Sequence, residues 1–227
     1  MSKGYTAGDN LTLKIEKIVP RGYGLAFAEG LTVFVSLAAA GDVVNVRLRE
    51  VKGKTAFAEI ENIIEPSPDR ITPSCQHFGS CGGCDFMQLN YPAQLKAKEA
   101  IIRDCLTRIA KINYDGPIEM IVGPQGFGYR LRAQWHADTR RRIIGYYRRN
   151  SRDLIDIAEC PVLVPELQAE LNRLRSDMPW ETFFSEKAQL DAACGDAGVS
   201  VYSPELMEPT EDVSFRNSGE TYIFSAR

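Results

Sequence analysis

The sequence predicts a β-rich plus α+β protein: a small β-barrel, a cysteine loop, and a mixed α/β central region. Three observations carry this reading. Residues 9–65 alternate apolar and polar side chains between turn signals. Cys75–Cys84 places three cysteines and three glycines within ten residues. Residues 91–112 and 165–175 repeat their apolar positions at helical spacing.

The barrel comes first, over residues 1–66. Leu11, Leu13 and Ile15 alternate with Thr12, Lys14 and Glu16, and Val44, Val46 and Leu48 alternate with Asn45, Arg47 and Arg49. A period of two is that of half-buried strands. Gly22, Gly24 and Glu29-Gly30 supply turns for short strands that end in Val33-Phe34-Val35, and a last strand runs near Thr55 to Ile63. Five short strands in so few residues predict an OB-like closed barrel of the kind that binds oligonucleotides. Pro66-Ser67-Pro68 reads as a stiff linker.

Residues 67–90 form the cysteine loop, with Cys75, Cys81 and Cys84; Cys160 follows far downstream, directly before Pro161. Four thiolates are what a 4Fe–4S cluster or a structural zinc requires. Zinc cysteines usually come as two close pairs. A trio joined by one remote Cys-Pro resembles ferredoxin-type ligation, so the spacing favours iron–sulfur over zinc. The five-then-two spacing does not fit a radical S-adenosylmethionine enzyme. Cys105 and Cys194 stand alone in apolar surroundings and read as small core residues. His77 sits among the ligands and reads as a bystander or a donor to a cluster sulfur.

Residues 91–124 read as an amphipathic helix and connector. Asn90 suits the cap, Pro92 the first turn, and Leu95, Ile102, Leu106 and Ile109 form one stripe. Residues 125–227 read as the central α/β domain. It opens on a hairpin, roughly 129–138 and 142–148, passes through Cys160, and continues into a helix carrying Leu167, Leu171 and Leu174.

Charge is uneven along the chain. Residues 1–152 hold 22 Lys and Arg against 15 Asp and Glu, a net of +7; residues 153–227 hold 5 against 15, a net of −10. The densest cationic stretch contains Arg130, Arg132, Arg148, Arg149 and Arg152, interleaved with Tyr129, Trp135, Tyr146 and Tyr147. Arginines with aromatics suit a surface that holds phosphates and stacks bases. Those five arginines are the candidate RNA contacts, and Phe78, Phe86 and Trp135 are secondary stacking candidates. No apolar run is long enough to span a bilayer, and no secretory segment follows Met1, so six cysteines point to a reducing cytoplasm.

Taken together these residues resemble the iron–sulfur RNA uracil-5-methyltransferases that modify bacterial 23S ribosomal RNA. The barrel is similar to a TRAM domain through Leu13–Ile18, Gly24-Leu25-Ala26, Gly41-Asp42-Val43-Val44 and Val46-Arg47. The resemblance extends over Phe86–Leu89, Tyr91–Lys98, Tyr129–Arg132 and Ser151–Asp156. It implies a 4Fe–4S cluster on Cys75, Cys81, Cys84 and Cys160, with ribosomal RNA as partner. In such enzymes a cysteine thiolate adds to uracil C6, C5 takes a methyl from S-adenosylmethionine, and a base removes the C5 proton. The expectation is that the doubly wound methyltransferase domain is absent here. Cys194 lacks the nucleophile's context, so no catalytic residue is assigned. S-adenosylmethionine would then serve only the full-length enzyme. The chain reads as the truncated N-terminal half, inactive alone. Its helix 91–112 would pack on the missing domain and, left bare, drive self-association. The alternative is a stand-alone iron–sulfur or zinc RNA-binding module. An electron carrier is a third reading, for which the basic aromatic surface has no use.

Overall fold

The structure is a computed structural model describing residues 4–123, 126–182 and 185–205, with the backbone of 213–217 and 220–224. It divides into two compact units. One comprises Met1–Ser74 with Cys84–Val122, the other Cys75–Gly83 with Gly123–Arg227.

The first unit is built on six strands: β1 (Asn10–Lys14), β2 (Lys17–Val19), β3 (Tyr23–Ala28), β4 (Leu31–Val35), β5 (Val43–Lys52) and β6 (Thr55–Glu65). Their order is β1-β5-β6-β4-β3-β2, with β4 and β6 parallel and the other pairs antiparallel. The two end strands are contiguous in sequence. Ile15 N–H donates to Asp42 O, beside β5, and Glu16 N–H donates to Leu25 O in β3, each at 2.8 Å. Residues 15–16 thus join both margins, and the sheet rolls on itself. Its interior is Leu13, Ile15, Val33, Val35, Val44, Val46, Leu48, Ala56 and Ala58, all buried. Six strands form where the sequence predicts five, because Lys17–Val19 pairs separately with Tyr23–Leu25. Gly24 is required by close approach: a Cβ there would lie 2.7 Å from that of Ala38. Glu29 and Gly30 both have positive φ, the two-residue turn that matches strand twist.

The expected linker is fastened down. Asp42, fully buried, accepts from Ala39 N–H at 2.7 Å, Ser67 N–H at 2.9 Å and the Arg70 guanidinium at 2.6 Å. Burial pushes the Asp42 carboxyl up, but the hydrogen bonds of Arg70, Ser67 and Ala39 outweigh it and hold the group below its ordinary value.

Helix α1 (Tyr91–Arg108) starts as the sequence predicts, with Asn90 Oδ1 accepting from Ala93 N–H at 2.9 Å. It ends earlier than the expected 112, because Lys111 adopts a left-handed φ of 59°. Its inward face is Ala93, Ala97 and Ile101, packed with Ile18, Ala39, Leu89 and Phe86. The predicted stripe lies mostly outside this contact: Leu95 and Leu106 are half-buried, Ile102 is 42% exposed and Ile109 75%. Small residues let the helix approach closely, so the packing face is set by alanines.

The second unit has a five-stranded antiparallel sheet of β7 (Arg132–Asp138), β8 (Ile143–Tyr147), β9 (Leu154–Asp156), β10 (Lys187–Gly195) and β11 (Gly198–Tyr202), in the order β11-β10-β7-β8-β9. Helix α2 (Pro165–Asp177) buries Leu167, Leu171 and Leu174 among Trp135, Ile144, Leu190 and Val201. Trp135 is fully buried there, which removes it as a stacking platform. Arg175 on α2 pairs with Asp156 on β9. A further hairpin joins β12 (Val213–Asn217) to β13 (Glu220–Phe224). Cys194 is a buried core residue of β10, whereas Cys105 is half-buried on α1.

Candidate functional site

The cysteine loop of the second unit is held by the backbone of the arginine hairpin. Phe78 N–H donates to Cys75 O, and Ser80 and Cys81 N–H both donate to His77 O, a compact turn that Gly79 completes with φ 87°. The loop then runs antiparallel to the chain leaving β8. Cys81 pairs with Arg148, Gly82 N–H donates to Tyr147 O at 3.0 Å, and Arg149 N–H donates to Ser80 O at 2.8 Å. Gly82 eases the approach, since a Cβ there would stand a tight 3.3 Å from Tyr147 O.

Cys160 arrives from the other side on a clamped segment. Its N–H donates to Gln168 Oε1 at 2.9 Å, and Gln168 Nε2 donates to Ala158 O at 2.7 Å. Gly128, Tyr129 and Arg130 hydrogen-bond along Pro161–Val162, and Val164 N–H returns to Arg130 O. One glutamine on α2 and one extended stretch before β7 therefore fix the position of Cys160. The role of Gln168 was not legible in the sequence, where it is one polar residue on an amphipathic helix.

The thiols of Cys75, Cys81 and Cys160 share one electrostatic neighbourhood. Burial pushes the Cys81 thiol up; the Gly83 N–H, 3.4 Å from its sulfur, opposes this, Cys75 adds to it, and Arg149 and Arg130 oppose it. Burial likewise pushes the Cys160 thiol up, against the Val162 N–H and Arg130, with Cys75 and Cys81 adding. Each of these two sulfurs faces the N–H two residues ahead. Cys84 belongs to the first unit.

Among the described residues, no three His, Cys, Asp or Glu side chains are grouped to hold one metal ion. A tetrahedral zinc with bonds of about 2.3 Å needs sulfurs roughly 3.8 Å apart. Buried polar atoms around the three thiols lack hydrogen-bond partners: His77 Nε2 in the loop, Tyr146 Oη, and Trp135 Nε1 beneath it.

The candidate RNA arginines separate into two groups. Arg130 and Arg149 lie by the cysteines, and Arg130 Nη2 is 3.5 Å from Gly83 O. Arg132, Arg148 and Arg152 are exposed. Arg132 lines a shallow hollow with Gln134 and Asp191, where Gln134 Nε2 donates to Asp191 Oδ1 at 3.0 Å. Nearby, His136 and Tyr147 stack with ring centroids 4.1 Å apart, an aromatic pair the sequence reading did not single out. Phe78 is half-buried in the loop, and Phe86 packs beside α1.

The solved structure of Pyrococcus abyssi tRNA (uracil-54, C5)-methyltransferase, in complex with S-adenosyl-L-homocysteine, matches with a TM-score of 0.63 at 19% identity, over 93% of this chain and 58% of that one. At that identity the likeness is one of fold. No protein-family model matches the sequence. Among curated proteins, the 23S rRNA (uracil(1939)-C(5))-methyltransferase RlmD of Pseudomonas entomophila is 36% identical over 171 residues, 74% of this chain and 38% of that protein. The RlmD of Pectobacterium atrosepticum is 38% identical over 170 residues, 73% of this chain and 37% of that protein. The chain is thus homologous to RNA uracil-C5-methyltransferases and spans 37–38% of the length of these curated relatives. No described helix is long and apolar enough to cross a membrane.

Proposed function

We propose that this chain is the RNA-recognition and iron–sulfur portion of an S-adenosylmethionine-dependent RNA 5-methyluridine methyltransferase acting on ribosomal RNA. The observation that carries this is the homology to RlmD proteins over a stretch that contains the barrel, the cysteine loop and Cys160. In this reading the rolled sheet of the first unit is a TRAM-type RNA-binding barrel. Cys75, Cys81, Cys84 and Cys160 hold a 4Fe–4S cluster, which ties the loop to the segment before α2 and supplies no electron to methyl transfer.

The chain's own residues bind and present RNA. A uracil must leave its stack before any thiolate can reach C6. Exposed Arg132, Arg148 and Arg152 hold phosphates on either side of the distorted strand, while the half-buried arginines maintain the cysteine loop. The membrane has no part in this, and the expected compartment is the cytoplasm.

The test is binding of anaerobically purified protein to a ribosomal RNA hairpin and to an unrelated hairpin of equal length. Fluorescence anisotropy across a salt series should show tighter binding to the first and a negative slope of log affinity against log salt. Equal, weak binding to both would leave a metal-holding protein without an RNA role. Tight binding to both equally would favour a general RNA-binding module.

A further inference from the structure

The face of the second unit's sheet opposite α2 carries its own set of side chains. Along β7, Ala133, Trp135 and Ala137 turn into the core, and Arg132, Gln134 and His136 turn the other way. Strand register adds their neighbours. On β10, Asp191 lies opposite Gln134 and Gln189 opposite His136. On β8, Gly145 pairs with His136, and Tyr147, two residues on, returns to the same face. Arg132 and Gln134 are exposed and the other four half-buried.

Two features of this face suit a nucleobase. The first is a stacking surface. Tyr147 covers His136 from the β8 side, with centroids 4.1 Å apart and planes 27° from parallel. The other face of the imidazole therefore turns toward β10. Burial lowers the imidazole's pKa, against the charges of Asp191 and Glu205, so the ring is neutral under physiological conditions. Bases of single-stranded RNA stack on aromatic side chains of this kind. The second feature is the hollow beside it, about 200 Å³, lined by Arg132, Gln134 and Asp191 over Ala133 and Ala192. It is smaller than the roughly 300–1,000 Å³ of small-molecule pockets and suits part of one flat ring.

Valence decides which base fits. The Asp191 carboxylate accepts from Gln134 Nε2 at 3.0 Å and from Gln189 Nε2 at 2.7 Å. A carboxylate only accepts, so each amide must turn its nitrogen inward and keep its oxygen open. Neither Oε1 accepts a hydrogen bond from a described residue. The unspent capacity is thus weighted toward acceptors: two amide oxygens and the open lone pairs of the carboxylate, against one remaining N–H per amide. Uracil brings two carbonyl oxygens and one N–H to such a site. Adenine, guanine and cytosine each bring an exocyclic amine.

We infer that this sheet face is a base-reading subsite: one unstacked nucleotide lays its base on His136, backed by Tyr147, and turns an exocyclic amine to Asp191 and Gln134, with Arg132 at its phosphate. The base held here is therefore a neighbour of the modified uracil and not that uracil. The inference rests on the RNA reading and deepens it, since it adds base selectivity where the exposed arginines alone give none.

The experiment measures fluorescence anisotropy of the anaerobically purified full chain with a labelled nonamer of uridine and with the same strand carrying one central guanosine, adenosine or cytidine. The three amine-bearing strands are expected to bind several-fold tighter than the uridine strand. Asp191→Asn, which sets a donor where the carboxylate stood, should bring the four affinities together, and His136→Ala should weaken the amine-bearing strands several-fold. Melting temperatures check that each variant folds; Gln134→Leu, at an exposed position, carries the same expected loss of preference should either fail. Equal affinity of the unaltered protein for all four strands would overturn the inference and leave the RNA reading standing. So would a preference that survives in every folded variant, or binding of the ribosomal hairpin with none of the single strands. Binding of neither the hairpin nor any strand would sink the RNA reading itself.

Discussion

Removing the proposed 4Fe–4S cluster should cost the second unit much of its stability. Cys81 and Cys160 are 79 positions apart, and nothing covalent joins the loop to Cys160 besides the chain. Tying them through one centre closes that long segment. The chain-entropy treatment of a cross-link over a loop of this length gives about 4.5 kcal/mol. For a unit of this size, near 110 residues, that corresponds to a melting temperature lower by roughly 15–20 °C in the metal-free protein. The structure gives a reason to expect the full effect: Gln168, Arg130 and the Cys81–Arg148 pairing already hold both ends in place, so little strain opposes closure. The assay is calorimetry of anaerobic loaded and chelator-stripped protein. Cys160→Ser serves as a variant that opens the ring without removing the loop. Identical transitions for loaded and stripped protein would refute the reasoning, because a centre that closes this ring must leave a mark on unfolding.

Three further outcomes are expected. Arg132→Ala should weaken RNA binding and reduce the salt slope by about 0.7–0.9, read by anisotropy between low and moderate salt; an unchanged slope removes Arg132 from the phosphate contacts. Arg70→Met strands the Asp42 carboxylate, and breaking such a buried pair should lower the stability of the first unit by about 3–5 kcal/mol in urea denaturation. The same pair has a pH signature. The folded Asp42 carboxyl lies below its unfolded value, so its contribution is complete above about pH 4 and lost as pH falls through the folded value. Acid unfolding that is identical with and without Arg70 would contradict this. Finally, exposed Ile102 on α1 and Ile109 at its C-cap should give concentration-dependent self-association in sizing chromatography, abolished by Ile109→Glu; a clean monomer at high concentration counts against it.

What the sequence makes legible follows from how local the signal is. The strands of the first unit are readable because alternation is written into each one, as at Leu13 and Ile15 or Val44 and Val46. The start of α1 is readable because Asn90 and Pro92 act within one turn. Its packing face is not: apolar size points to Ile102 and Ile109, whereas the contact is made by Ala93 and Ala97, chosen by close approach to Ile18 and Ala39. Pro66-Ser67-Pro68 looks like a linker because the sequence cannot show that Asp42, 25 residues earlier, will accept from Ser67. Of the candidate site, the cysteines are visible by spacing. Gln168 is not, since its role depends on Cys160 arriving beside it through long-range folding.

The arginines show the same limit in a form that changes the functional argument. Composition treats Arg130, Arg132, Arg148, Arg149 and Arg152 as one cationic surface. The fold separates them by neighbour. Arg130 pairs as a strand with Leu163, beside the Cys160 segment, while Arg132, two residues on, lies opposite Ala193 in the open sheet. Arg149 is drawn to the loop through Ser80, and Arg148, paired with Cys81 by its backbone, keeps its side chain exposed. The basic stretch therefore divides by neighbour: Arg130 and Arg149 lie by the cysteine loop, while Arg132, Arg148 and Arg152 stay exposed and are the ones proposed to meet RNA phosphates. At the two half-buried positions, Arg130 and Arg149, arginine suits better than lysine, since it keeps its charge and its fixed donor geometry there.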